Sequence, residues 1–121
     1  MKKYWTQWFE IPVLEMNRAV KFYETIFEIK IETVDLGGLK MGMFPAAETG
    51  CALCLHKEYV PSEAGVLVYF DAAPDLNGTL NNIESAGGRI LKKKTQISPT
   101  HGYMALFTDT EGNRLGLYSK Y

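Results

Sequence analysis

Phe9-Glu10-Ile11-Pro12-Val13 and Val66-Leu67-Val68-Tyr69-Phe70 carry the same short alternation of apolar and other side chains, offset by 57 residues (9 to 66, 13 to 70). A period of two is the pattern of a strand with one buried face. The segments after the two runs correspond as well. After the first, apolar residues fall at Met16, Ala19, Val20, Tyr23, Ile26 and Phe27, the spacing of an amphipathic helix with Arg18, Lys21 and Glu24 turned outward. Glu15 or Asn17 is its cap. After the second, Asp75 caps a helix striped by Leu76, Leu80, Ile83 and Ala86, which Gly87-Gly88 ends. Three strands complete each half: 29–34, 40–44 and 51–56, with a turn at Asp35-Leu36-Gly37-Gly38, and then 89–94, 103–109 and 114–118, with a turn at 110–113. Residues 95–102 read as a loop, a candidate lid. The expected fold is α+β: two βαβββ modules, about 5–57 and about 65–119, joined by a linker at about 58–64 in one domain over 1–121. Each module makes a mixed sheet with one helix packed behind it.

Composition narrows the function. With 121 residues, 46% of them hydrophobic and 12% aromatic, the chain can bury a core without a disulfide or metal. Thirteen Lys and Arg against fourteen Asp and Glu leave a net charge of -1, so no positive field draws nucleic acid or an anionic membrane. No apolar run is long enough to span a bilayer, and Met1-Lys2-Lys3 leads into Tyr4-Trp5 rather than a signal core, so a soluble cytoplasmic protein is expected. Cys51 and Cys54 form a CxxC, but on a strand they point to opposite faces and share no metal. Lys92-Lys93-Lys94 reads as a solvated strand edge. His101, between Pro99 and Gly102, reads as a loop residue.

The run 9–13, then Asn17-Arg18-Ala19-Val20-Lys21-Phe22-Tyr23, then Ala86-Gly87-Gly88, and above all Phe107-Thr108-Asp109-Thr110-Glu111-Gly112-Asn113-Arg114-Leu115-Gly116-Leu117, resembles the vicinal oxygen chelate superfamily of glyoxalases, bleomycin-resistance proteins and extradiol dioxygenases. The resemblance spans nearly the full chain. It implies curved sheets whose concave faces enclose a cavity, commonly in a homodimer that can exchange modules. It also implies four metal-ligand positions, which fall here at Trp8, at or next to Cys54, near Gly65 and at Gly116. Those residues supply no nitrogen or oxygen ligand, so neither a metal nor another cofactor is expected.

Strand alternation then defines a binding face. If Phe9, Ile11, Val13, Leu53, Leu55, Val66, Val68, Phe70, Leu115 and Leu117 face the helices, the cavity is lined by Trp8, Glu10, Cys54, His56, Leu67, Tyr69, Arg114 and Tyr118. Aromatic rings among a few charges suit a small-molecule site. Cys54 and His56 are two donors, and two do not make a metal site. The expected function is a metal-free, homodimeric small-molecule-binding protein of the glyoxalase and bleomycin-resistance type, taking an amphipathic ligand between the modules. The alternatives are a lyase, isomerase or dioxygenase-like enzyme using Glu10 or His56 as general base or an unrecognised metal site, and an interaction module.

Overall fold

In the computed structural model, which describes residues 2–121, the two alternating runs open two copies of one pattern. The elements are, in chain order, β1 (Trp8–Pro12), α1 (Met16–Phe27), β2 (Glu32–Leu36), β3 (Leu39–Met43) and β4 (Gly50–Leu55), then β5 (Tyr69–Asp71), α2 (Asn77–Leu80), β6 (Arg89–Ser98), β7 (Gly102–Thr108) and β8 (Arg114–Ser119). One sheet has the order β1-β4-β3-β2 and the other β5-β8-β7-β6. In each, the first strand of the module runs parallel to the last, and the remaining pairs are antiparallel.

The expected core face holds at all but one of its positions, Val66. Ile11, Val13, Leu53, Phe70, Leu115 and Leu117 lie in one buried cluster with Met16, Ala19, Phe22, Tyr23 and Ile26 from α1 and with Leu76, Leu80 and Ile83. A single core therefore spans both sheets, and aromatic rings tie it together across the modules, Phe27 to Phe70 at 4.8 Å and Phe9 to Phe70 at 5.8 Å. Cys51 joins this core while Cys54 faces the other way, and both thiols are free. Glu15 is the cap of α1, its carboxylate accepting the Arg18 N–H.

Several boundaries differ from the sequence expectation. The second helix keeps its buried stripe, but only Asn77–Leu80 is regular helix and residues 81–87 are turns. Asn77, Gly78, Thr79, Asn81 and Asn82 are weak helix formers, so burial of Leu76, Leu80 and Ile83 holds the segment. Asp75 accepts from Asn77 N and Lys94 Nζ but does not occupy the cap position, which is Leu76. The run at 66–70 yields only three strand residues; Val66, expected on the core side, is 90% exposed after Gly65 takes a φ of +93°. The lid at 95–102 is not a loop: β6 continues to Ser98 against β7, and only 99–101 turn. Ile29 and Ile31 pack on the core ahead of β2 rather than within a strand.

The turn after β7 joins the modules. Asp109 accepts the backbone N–H groups of Glu111 (2.8 Å) and Asn113 (2.9 Å), the Tyr23 hydroxyl (2.6 Å) and the Asn113 amide (3.0 Å). Asn113 also donates to Pro12 O at 2.7 Å, at the end of β1. Glu111, whose side chain is fully buried, accepts from Leu14 N, Glu15 N, Arg18 Nε and the Thr110 hydroxyl, all within 2.8 Å, and from the second Arg18 donor at 3.0 Å. Burial alone would push the Glu111 carboxyl up, but these donors, Arg18 first, pull it down to about 2 from an ordinary 4.5. A depressed carboxylate pKa stabilises the fold above the ordinary value, and the contribution is lost as pH falls towards 2.

Glu111→Gln is therefore expected to destabilise the fold by about 2 to 3 kcal/mol at neutral pH. The gap between variant and wild-type melting temperatures should narrow as pH is lowered through that window, read by circular dichroism; a gap independent of pH would refute the assignment. In the core, Leu117→Ala should cost about 2 to 5 kcal/mol in denaturant unfolding. Arg114→Met, on the opposite face of the same strand, should leave the unfolding midpoint nearly unchanged.

Candidate functional site

The faces turned away from the helices carry the candidate site. In the parallel β1–β4 register Trp8 lies beside Gly50, Glu10 beside Ala52 and Pro12 beside Cys54, and Met41 of β3 lies opposite Cys54. Met41, Ala52 and Cys54 form a second, smaller buried cluster against which Leu39, Met43 and Tyr59 pack. Thioether side chains make such a floor adaptable. Above it Glu10 is held from both sides, Oε1 accepting the Tyr59 hydroxyl at 2.7 Å and Oε2 the Trp8 indole N–H at 3.2 Å. Donation to Glu10 is the main reason the Tyr59 hydroxyl is pushed up to about 12. Burial, followed by the adjacent Glu10 charge and a hydrogen bond to it, pushes the Cys54 thiol up to about 12. At neutral pH that thiol is a packed, protonated group and not a nucleophile.

His56 lies just beyond β4, where its Nδ1 accepts the Glu58 N–H at 3.1 Å and its ring stands edge-on to Tyr59. That bond puts the proton of the neutral ring on Nε2.

The second sheet repeats one device of the first. Tyr69 lies beside Gly116 as Trp8 lies beside Gly50. A Cβ on Gly116 would stand 2.4 Å from the Tyr69 ring, and one on Gly50 would stand 2.8 Å from the Trp8 ring. Each ring therefore lies over a bare backbone, and any larger residue would displace it. The two rings remain 43% and 44% exposed, and Tyr118 on the same face is 36% exposed. Arg114, half-buried, shares that face of β8. The ion pairs among the described residues are Arg18–Glu111, Arg89–Glu63 and Lys94–Asp75, so Glu10 and Arg114 do not pair with each other.

The residues expected to line one cavity thus fall into groups. Trp8, Glu10 and Cys54 come together on the first sheet with Tyr59. Tyr69, Arg114 and Tyr118 share the second, and His56 sits at the end of the first. Leu67 is half-buried ahead of β5 rather than on a strand. A cleft of about 580 Å³ includes His56 and Tyr59, and another of about 800 Å³ includes Leu67 and Tyr69; neither has Glu10 or Arg114 in its wall. Sequence reasoning missed Tyr59, which lies in the aperiodic linker and carries no signal there. It also missed Met41 and Met43, whose alternation along 40–44 was legible but needed the β3–β4 pairing to assign a face.

The four positions implied for a metal do not fit one. They present an indole, a buried protonated thiol, a glycine at positive φ and a glycine beneath an aromatic ring. Among the described residues no three His, Cys, Asp or Glu side chains converge so as to hold a metal ion.

The architecture is shared with solved structures. The hypothetical protein SA1046 from S. aureus superposes with a TM-score of 0.74 at 20% identity, covering 98% of this chain and 95% of that one. A glyoxalase I mutant from Zea mays gives 0.71 at 19% identity over 93% of this chain, which spans 46% of the maize protein. TnmS3, an antibiotic binding protein from Streptomyces sp. CB03234, gives 0.65 at 18% identity, covering 100% and 99%. At such identities the likeness is one of fold. No curated protein matches the sequence. The profile of one family does match, over residues 5–117, nearly the whole chain. The repeated module, the turn at 109–113 and that match agree: the chain belongs to the Glyoxalase/Bleomycin resistance protein/Dioxygenase superfamily.

Proposed function

We propose that this chain is a small-molecule-binding protein that works without a metal ion, takes an amphipathic ligand against the open faces of its two sheets, and does so as a two-fold homodimer. The observation that carries the reading is the pair of rings packed on glycines, Trp8 on Gly50 and Tyr69 on Gly116; Trp8 and Gly116 are two of the four positions that the family resemblance implies for metal ligands. Rings packed on the backbone are rigid surfaces for an apolar ligand body, and they lose little entropy on binding. Glu10 supplies the orienting contact. Its carboxylate is positioned by Tyr59 and Trp8, with lone pairs left for a ligand donor. Arg114 offers a cation for an acceptor group at the other end. Trp8, Tyr69 and Tyr118 exposed together support the dimer, since a second copy over these faces shields them from water. Free, buried thiols at Cys51 and Cys54 support a reducing compartment, the cytoplasm. No described helix is long and apolar enough to cross a membrane. The charge balance favours no nucleic acid partner.

Native mass spectrometry of the purified protein is expected to show a mass of two chains, no stoichiometric zinc, nickel, manganese or iron, and any retained ligand. A tightly held ion on each chain overturns the metal-free reading, and a monomer at tens of micromolar overturns the dimer. For a ligand so recovered, Arg114→Met and Glu10→Gln should each weaken binding by about 1.5 to 3 kcal/mol with the fold intact. Unchanged affinity in both variants removes the open faces from the site. Conversion of the ligand, lost in Glu10→Gln, would make the protein an enzyme with Glu10 as its base.

A further inference from the structure

We infer that the cleft of about 800 Å³ at the seam between the modules, whose wall includes neither Glu10 nor Arg114, is a second ligand site, and that it takes a neutral or cationic aromatic amphiphile and rejects an anionic one. Its floor is aromatic. Phe27, Phe44 and Phe9 surround Phe70 with ring centroids 4.8, 6.2 and 5.8 Å away, and all four rings line the cleft. The walls are two irregular segments, 45–47 between β3 and β4 and 66–68 ahead of β5.

The cleft exists because β5 is short. Gly65 at φ +93° turns the chain aside, Val66 swings out to 90% exposure, and the strand begins only at Tyr69. Where a longer β5 would seal the seam, ring faces stay open. The volume falls in the range of drug-sized pockets, roughly 300 to 1,000 Å³.

Charge selects the ligand. Among the described residues that line the wall, Asp71 is the one charged residue; the other residues with polar side-chain groups are Thr6, Thr49, Tyr69 and Cys51. Asp71 Oδ1 accepts the Ala73 N–H at 3.0 Å. A carboxylate or sulfonate entering here meets a like charge and finds no cation, whereas an amine meets a partner and aromatic ring faces. Burial pushes the Cys51 thiol up to about 12, so at neutral pH it is a protonated wall group rather than a nucleophile.

Two probes sharing one skeleton test this: neutral N-phenyl-1-naphthylamine and its anionic counterpart 1-anilinonaphthalene-8-sulfonate, each read by fluorescence enhancement on the full chain. The neutral probe should bind at one per chain, about tenfold or more tighter than the sulfonate. Ala46→Trp and Ala47→Trp, both at exposed loop positions in the wall, should each weaken the neutral probe about tenfold with the melting temperature unchanged. Asp71→Lys should shift the preference towards the sulfonate. Equal or tighter sulfonate binding overturns the inference. So does binding lost in Arg114→Met yet retained in both tryptophan variants, since the probe then occupies the open faces. Neutral-probe binding that falls as light scattering shows dimer forming also overturns it, since a second copy then covers the cleft.

Discussion

One turn of five residues holds the two modules in register, and it does so by concentrating hydrogen-bond donors on two buried carboxylates. Asp109 organises its own turn through the Glu111 and Asn113 amides and reaches across to the Tyr23 hydroxyl. Glu111 receives the first free backbone N–H groups ahead of α1 and both donors of Arg18. Burying an unpaired carboxylate costs several kcal/mol, and each of these two is met by several hydrogen-bond donors. The Tyr23 hydroxyl is driven well above its ordinary range by burial and then by Asp109, so it stays a donor. Because every partner outside the turn comes from the other module, the core of the first sheet cannot slide relative to the second without stranding a charge.

That fixed relation sets what each sheet face can do. The helix-side faces merge into one core, and the opposite face of the first sheet carries only the small buried cluster of Met41, Ala52 and Cys54. On the open faces Trp8 packs on Gly50 and Tyr69 on Gly116. A glycine in a strand weakens it, and two of them at matched places, each under a ring, are accounted for by the close approach of the aromatic group to the backbone. Glu10 remains as a positioned acceptor, braced by Trp8 and Tyr59.

The same irregularity that shortens β5 gives the second half a different outline from the first. In the first half β1 pairs with β4 over five residues; in the second, β5 pairs with β8 over three. The duplicated pattern therefore does not produce two equal modules, and the seam between them carries an aromatic cleft that a symmetrical molecule would close.

The alternation of 9–13, the helical spacing of 16–27 and the repetition of both further along the chain determined the α+β class, the order of elements and the division of Leu117 from Arg114 onto opposite faces, because period and burial are local consequences of side-chain geometry. Glycines and weak helix formers were also legible, but their effect depends on competition: Asn77 to Asn82 stay one short turn because tertiary burial of Leu76, Leu80 and Ile83 does not require more. The site was legible in part. Trp8, Glu10, Tyr69 and Arg114 follow from alternation, whereas Tyr59 lies in a segment without periodicity and meets Glu10 only because the chain folds back after β4. The register that sets Trp8 on Gly50 and Tyr69 on Gly116, the gathering of donors on Glu111 and the open seam beside Phe70 were decided by tertiary structure alone. Each is a contact between residues dozens of positions apart, and local propensity carries no information about which distant partner a side chain meets.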